Sequence, residues 1–136
     1  ELTEALLSGM KENNDKSQLF PNKDICKDYN TYVQEQSNIG NMSEANQQAL
    51  FRTIAPLVAQ YNYFYKDVKL SRLNSTANKM RTVFRRRKHN NFYLSLDIES
   101  GGFEAFDKSG THLGQFNFSC DQMKKAEPKT HKLILK

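Results

Sequence analysis

The chain contains no tryptophan and few cysteines, prolines or glycines: two, three and six respectively among 136 residues. Two cysteines cannot build a disulfide-rich framework or a four-ligand structural zinc site, so both of these classes of small domain are excluded. No apolar run approaches the roughly 18 residues of a membrane-spanning helix, so we expect no membrane span. No basic segment followed by an apolar stretch opens the chain, so we also expect no signal peptide within it.

The two cysteines, Cys26 and Cys120, lie in different halves of the chain and form no CxxC motif. Neither is paired with a histidine at the spacing of a zinc site. The pattern favours two free, partly buried thiols in a protein kept in a reducing compartment. A single long-range disulfide between them is the alternative that the sequence leaves open.

Charge is unevenly distributed along the chain, although the net charge is a modest +5. Residues 1–65 carry 5 basic and 8 acidic side chains, a net −3, whereas residues 66–136 carry 15 basic and 7 acidic, a net +8. The length suits one domain, or one domain with a small helical extension. The asymmetry predicts a nucleic acid or another polyanion as the partner of the second half.

The first half has the periodicity of helices. Apolar residues at helical spacing predict a short amphipathic helix over residues 2–12 and another helix over 24–37. The longest pattern runs from residue 43 to about residue 65 and contains Pro56, where we expect a kink or a split. A further helix is predicted over about 67–80.

The second half changes to the period of two that is typical of strands. Residues 92–98 alternate apolar and polar side chains, which predicts a half-buried strand. Glycine-containing turns separate this strand from return strands over 103–106 and 111–118. A polar loop is predicted over 119–129, followed by a last strand over 130–135.

A β-meander preceded by helices predicts the α+β fold class. We expect a helical N-terminal region over residues 1–80 that packs on a twisted antiparallel sheet over residues 81–136. The excess of basic charge belongs to the second half, so we expect the sheet to carry the functional site.

The densest basic run consists of Arg85, Arg86, Arg87, Lys88 and His89. Arginine matches phosphate with two parallel hydrogen bonds, and each neutralised phosphate releases counterions, so this run predicts RNA binding. Tyr93, which follows closely, would stack on a base. The alternatives are a solvated charged segment for the run and a core position for the aromatic ring.

Three titratable side chains, Asp97, Glu104 and His112, lie on successive predicted strands. Side chains on adjacent antiparallel strands can converge to a few ångströms. A carboxylate and an imidazole suffice for general acid–base catalysis of RNA cleavage, in which the ribose 2′-hydroxyl attacks its own phosphate and cations stabilise the charge. This reaction needs no metal, and we expect no cofactor. The alternative is that the three are ordinary exposed strand residues.

His131 forms a second candidate group with Thr130 and the flanking Lys129 and Lys132. A last strand paired beside the meander would bring His131 and Thr130 to the same region of the sheet. His89, next to the arginines, is a further candidate acid or base. The alternative for both histidines is a solvated surface position.

Two segments, residues 92–97 (FYLSLD) and 102–116 (GFEAFDKSGTHLGQF), resemble the cytotoxic ribonuclease domain of E-type colicins, which also occurs at the C-terminus of CdiA-type contact-dependent growth inhibition toxins. The shared pattern is an aromatic strand ending in Asp, a strand with Glu, and His-Leu-Gly before Phe. Residues 127–130 (EPKT) resemble the Asp-Pro-Lys-Arg that closes the family domain. The resemblance implies the twisted sheet of the barnase-, EndoU-, colicin- and RelE-like ribonucleases.

The resemblance implies catalytic roles for Asp97 and Glu104 and an active-site role for His112. The family's catalytic histidine falls here on Ser100, and the arginine of its closing motif falls on Thr130, so the catalytic set is rearranged. The imidazoles and the cation are then expected from other positions: His131, His112 or His89, and Arg85–Lys88.

The resemblance also implies an antibacterial toxin domain that cleaves translation RNA, with tRNA slightly favoured over ribosomal RNA. Such a toxin is secreted or displayed at the cell surface within a larger protein, acts in the cytoplasm of the target bacterium, and is neutralised by a cognate immunity protein. Some such toxins use a translation elongation factor of the target cell as a helper. Two alternatives stay open: a non-catalytic RNA- or DNA-binding module, and a protein-interaction domain.

Overall fold

The fold is α+β, as predicted: helices lead into an antiparallel sheet. The computed structural model describes residues 16–39, 42–86 and 91–136. The helix predicted over residues 2–12 lies outside the described residues, as do residues 87–90 of the basic segment.

In the described part of the chain, a 3-10 helix (Lys16–Gln18) precedes four α-helices: α1 (Lys23–Cys26), α2 (Tyr29–Ile39), α3 (Glu44–Tyr61) and α4 (Val68–Leu73). The helix predicted over 24–37 is therefore divided into α1 and α2, and α4 is shorter than the helix predicted over 67–80. None of the helices in these ranges combines the length and the apolar character that crossing a bilayer requires.

The longest helix, α3, begins where the sequence predicts. The Ser43 side chain caps it by accepting a hydrogen bond from the Asn46 N–H at 3.2 Å. The helix runs through Pro56 as one continuous element rather than splitting there. It ends at Tyr61, earlier than predicted, and Tyr63 adopts a left-handed φ of 71° that a right-handed helix does not contain.

The described residues form one sheet in which each strand pairs antiparallel with the next. Its strands are β1 (Phe64–Lys66), β2 (Val83–Arg86), β3 (Phe92–Asp97), β4 (Gly102–Asp107), β5 (His112–Phe116) and β6 (Gln122–Lys124). Spatial order follows chain order, so the sheet is an up-and-down meander. The predicted strands over 92–98, 103–106 and 111–118 correspond to β3, β4 and β5.

Other strand predictions are wrong at the edges of the sheet. β1 lies in the segment predicted as the end of a helix, ahead of the expected start of the sheet at residue 81. β6 lies in the segment predicted as a loop, and all its residues are exposed, so no apolar alternation marks it. Residues 130–135 form no strand, and make a single antiparallel bridge between Thr111 and Lys132.

The sheet has one apolar face and one face with polar side chains, as the alternation over residues 92–98 predicts, but β3 is buried on both faces rather than half-buried. On the apolar face, phenylalanines share one buried core with α3: Phe84, Phe92, Phe103 and Phe116. On the polar face, Ser95 of β3 pairs with Glu104 of β4, which in turn pairs with Gln115 of β5. The three candidate residues Asp97, Glu104 and His112 therefore lie on the side of the sheet that faces away from α3.

Arg86 lies on the apolar face and is a core residue. Its guanidinium lies over the rings of Phe64 at 4.7 Å and Phe92 at 5.1 Å. It donates to the carbonyls of Gln18 at 3.1 Å and Leu19 at 2.6 Å, and burial lowers the pKa of Arg86 to about 10. The side chain fastens the 3-10 helix to the sheet, so the expectation that Arg86 binds RNA is wrong for this conformation.

We predict that Arg86→Ala lowers the free energy of unfolding by about 3 kcal/mol. The carbonyls of Gln18 and Leu19 lose their donor, and the buried contact of the guanidinium with two phenylalanine rings is lost. Arg85→Ala is the matched control, since it removes only a partly exposed ion pair with Asp67 and should cost less than about 1 kcal/mol. Urea denaturation of both variants measures the difference. Equal losses would contradict the core role of Arg86.

Candidate active site

The polar face of the sheet forms the floor of a cleft of about 440 Å³. The loop over residues 74–81, the turn over 98–100 and the C-terminal segment border it. Its charged and titratable lining consists of Lys79, Arg81, Asp97, Glu99, Glu104, His112, Lys124, Glu127 and His131. The three residues predicted to converge from β3, β4 and β5 therefore share one cleft.

Glu104 of β4 and His112 of β5 contact each other directly through Glu104 Oε2 and His112 Nε2. The other ring nitrogen of His112, Nδ1, accepts a hydrogen bond from the backbone N–H of Glu127 at 2.8 Å. An accepting nitrogen carries no proton, so the neutral ring holds its proton on Nε2 and donates it to the Glu104 carboxylate. The backbone of Glu127 thus selects the tautomer that orients Glu104.

This geometry makes His112 a positioning residue. The residue is only 4% exposed, and both ring nitrogens are bonded to protein groups. Its ring also packs edge-on against Phe106, with 5.5 Å between ring centroids. Direct proton exchange with a substrate would require breaking one of these contacts, so the structure does not support the expectation that His112 supplies the catalytic imidazole.

His131 supplies the accessible imidazole of the cleft. Its Nδ1 lies 3.2 Å from Glu127 Oε2 and 3.0 Å from Thr130 Oγ1, and Thr130 Oγ1 donates to the same carboxylate at 3.2 Å. The carboxylate accepts a hydrogen bond from a proton on Nδ1, so it favours the ring forms that carry one there. The side chain is 43% exposed, and its ring lies 4.9 Å from that of His112. Within the described residues Nε2 has no hydrogen-bond partner, so it can meet a substrate.

The segment that carries His131 is anchored by backbone contacts. Leu133 is buried, and its N–H donates to the carbonyl of Gly110 at 2.9 Å. Gly110 has a φ of +83°, and a Cβ there would lie 2.4 Å from the Leu133 carbonyl oxygen, so this approach requires glycine. Asn74, which follows α4, exchanges two hydrogen bonds with the Ile134 backbone at 2.8 and 2.9 Å. The C-terminal wall and the 74–81 loop are therefore joined.

Arg81 supplies a cation that the sequence analysis missed. Its Nε donates to Ser95 Oγ at 2.9 Å, and its guanidinium lies over the ring of Phe106 at 5.4 Å. Burial lowers the pKa of Arg81, against the opposing effect of Glu104 and Asp97, and the guanidinium stays charged at neutral pH. The available signal was its position two residues before β2, in phase with the polar face of that strand.

Asp97 is committed to hydrogen bonds within the floor and the turn. Its Oδ1 accepts from the backbone N–H groups of Glu99 at 3.2 Å and Ser100 at 3.1 Å. Its Oδ2 accepts from the Gln115 side chain at 2.6 Å, and Gln115 pairs directly with Glu104 across the sheet. Asp97 therefore shapes the surroundings of Glu104, and its carboxylate is less accessible to a substrate than the sequence suggests.

Among the residues that the structure describes, the other side chains predicted to bind RNA do not line the cleft. Arg85 pairs with Asp67 at 3.2 Å, and Tyr93 is buried in a second apolar cluster, which is the core alternative considered for it. Lys129 and Lys132 are exposed on the C-terminal segment beside the cleft. Outside the described residues lie Arg87, Lys88 and His89.

No protein-family model matches the chain, and no curated protein is significantly similar to it. Within the ranges that the structure describes, no group of three or more His, Cys, Asp or Glu side chains is arranged to hold a metal ion. We therefore infer the function from the chemistry of the cleft.

We predict that the neutral His112 ring carries its proton on Nε2, because Nδ1 is held as an acceptor by a backbone N–H. Long-range ¹H–¹⁵N NMR correlation distinguishes the protonated nitrogen from the unprotonated one. Glu104→Gln is the matched control: the Glu127 N–H remains, so the tautomer should not change. A ring protonated on Nδ1 would contradict the assignment.

Proposed function

We propose that the chain is a metal-independent endoribonuclease that cleaves RNA by attack of the ribose 2′-hydroxyl on the adjacent phosphate. The observation that carries the proposal is the convergence of an oriented carboxylate, an accessible imidazole and a cation, Glu104, His131 and Arg81, on one cleft. These are the three groups that such a transesterification needs: a base, an acid and a charge stabiliser.

Glu104 acts as the general base. Its Oε2 is held by His112, whereas Oε1 has no hydrogen-bond partner among the described residues. Oε1 takes the proton of the 2′-hydroxyl as that oxygen bonds to phosphorus. The neutral tautomer of His112 keeps the carboxylate oriented throughout, since its Nδ1 stays bonded to the Glu127 backbone.

His131 acts as the general acid. Its Nε2 proton passes to the 5′-oxygen as the bond from phosphorus to that oxygen breaks, leaving a 2′,3′-cyclic phosphate and a free 5′-hydroxyl. Glu127 and Thr130 hold the ring through Nδ1 and leave Nε2 available for the transfer. The proposal is supported by the 4.9 Å between the ring centroids of His131 and His112, since His112 contacts Glu104.

Arg81 stabilises the extra negative charge on the phosphate in the transition state. Ser95 and the Phe106 ring restrict its guanidinium, so little reorganisation is needed when a phosphate arrives. Lys79 and Lys124 also line the cleft and add positive charge for the neighbouring phosphates of the strand.

The proposed biological role is that of an antibacterial toxin domain acting on translation RNA, with tRNA favoured over ribosomal RNA. Support comes from the resemblance of residues 92–132 to colicin-type ribonucleases, together with the polar-face cleft built from the same strands. In this role the domain is delivered into a target bacterium as part of a larger secreted or cell-surface protein. A cognate immunity protein neutralises it, and an elongation factor of the target cell is a further proposed partner.

We predict that the purified domain cleaves RNA in the presence of EDTA and leaves cyclic phosphate ends, and that Glu104→Gln lowers the rate by about 10²- to 10⁴-fold. Denaturing gels and end-group analysis measure both results. Glu44→Gln is the control, because Glu44 lies at the start of α3 and contacts Gln48. RNA binding without cleavage would favour the non-catalytic module, and a rate unchanged in Glu104→Gln would refute the base assignment.

We predict that the loss in His131→Ala depends on the leaving group. Cleavage of RNA should fall by about 10²- to 10⁴-fold, because the 5′-alkoxide needs a proton. A nucleoside 3′-(4-nitrophenyl phosphate) has a leaving group that departs without a proton, so the same variant should lose far less activity on it. Glu104→Gln should lose activity on both substrates. Equal losses of His131→Ala on both would contradict the role of acid.

A further inference from the structure

The two cysteines meet inside the core although 93 positions separate them in the chain. Cys26 ends α1, Cys120 lies in the loop between β5 and β6, and both are buried. Both belong to the same buried cluster of core residues. The side-chain nitrogen of Asn62 lies 3.7 Å from the sulfur of Cys26 and 3.9 Å from that of Cys120.

Contacts that do not involve sulfur bring these segments together on either side of the thiols. Lys23 forms an ion pair with Asp121 at 2.7 Å. Ser119 Oγ donates to the carbonyl of Lys27 at 2.7 Å and accepts from the N–H of Asn30 at 3.1 Å. The residues just before and just after Cys120 are thus bonded to residues that bracket Cys26. The juxtaposition of the sulfurs is therefore a property of the fold.

The loop that holds Cys120 is itself fixed. Asn117 Oδ1 accepts from the N–H groups of Ser119 at 2.9 Å and Asp121 at 3.0 Å, and the Cys120 N–H donates to the Asn117 carbonyl at 2.9 Å. Cys120 adopts a left-handed φ of 67°, a backbone conformation that residues other than glycine and asparagine rarely take. The loop therefore fixes the backbone of Cys120 and with it the direction of its Cα–Cβ bond.

We propose that Cys26 and Cys120 form a redox-sensitive disulfide that closes when the chain folds in the presence of a small-molecule disulfide such as glutathione disulfide. One cysteine thiolate attacks the glutathione disulfide and releases one glutathione. The second cysteine thiolate then attacks the mixed disulfide and releases the other. The two protein thiols lose two protons and two electrons, and one glutathione disulfide becomes two glutathione molecules.

The bond closes during folding more readily than afterwards. Burial raises the pKa of both thiols, because the thiolate loses its hydration, and so the reactive species is scarce in the folded protein. Once closed, the disulfide joins the helical region to the loop that leads into β6 and the C-terminal wall of the cleft. Folding in an oxidising medium and folding in a reducing one would thus yield two forms of different stability.

The test is to refold the full chain in parallel with glutathione disulfide and with dithiothreitol, then alkylate it under denaturing conditions and weigh it. The oxidised sample should carry no alkyl groups and have the mass of the unmodified chain less two hydrogen atoms. The reduced sample should carry two alkyl groups. Calorimetry should show the oxidised form melting roughly 10 °C above the reduced form, as expected for a closed loop of this length. Conservative variants, Cys26→Ser and Cys120→Ser, should melt at one temperature in both media.

Two results would overturn the proposal: full alkylation of both cysteines after oxidative refolding, or disulfide-linked dimers in place of the monomer. An oxidised monomer that melts at or below the reduced form would refute a built-in pairing, since it would indicate strain. The experiment uses no RNA, so its outcome is independent of the proposed ribonuclease activity.

Discussion

The alternation of side chains along β3, β4 and β5 is the constraint on which both the core and the cleft depend. Burial of a phenylalanine contributes about 2 to 3 kcal/mol, and Phe92, Phe103 and Phe116 bury their rings on the same face of these strands. A one-residue slip of any strand would expose that set. The register that the core imposes therefore aligns Glu104 with Ser95 and Gln115 on the other face. Packing on the apolar face thus determines which side chains are neighbours on the polar face.

Within the cleft, groups that orient are distinct from groups that remain available. His112 and Asp97 have their polar atoms bonded to neighbouring groups, so they hold their surroundings in place. Among the residues that the structure describes, one ring nitrogen of His131 and one carboxylate oxygen of Glu104 have no hydrogen-bond partner. Supporting hydrogen bonds of this kind are what hold reactive groups within the narrow tolerances of catalysis. The proposed base and acid are thus the groups that retain an atom available to bind a substrate.

The sequence predicted the α+β class, the three central strands and the shared face of Asp97 and Glu104, because a period of two is a local signal. Edge strands such as β6 are short and exposed, so no local pattern marks them. The basic run was misleading at Arg86, since its burial depends on two rings and two carbonyls from distant parts of the chain. Arg81 stood outside any motif: its spacing from β2 indicates the polar face, but its value as a cation depends on its tertiary contacts with Ser95 and Phe106.

The reciprocal bonding of Asn74 with Ile134 has a mechanical consequence. It joins the loop that carries Arg81 to the tail that carries His131, so the two sides of the cleft are bonded to each other. Separating them would break both hydrogen bonds and lift the buried Leu133 from its place beside Gly110. If the proposed reaction is correct, the entropy of bringing cation and imidazole together is therefore lost once, when the chain folds, rather than at each encounter with a phosphodiester.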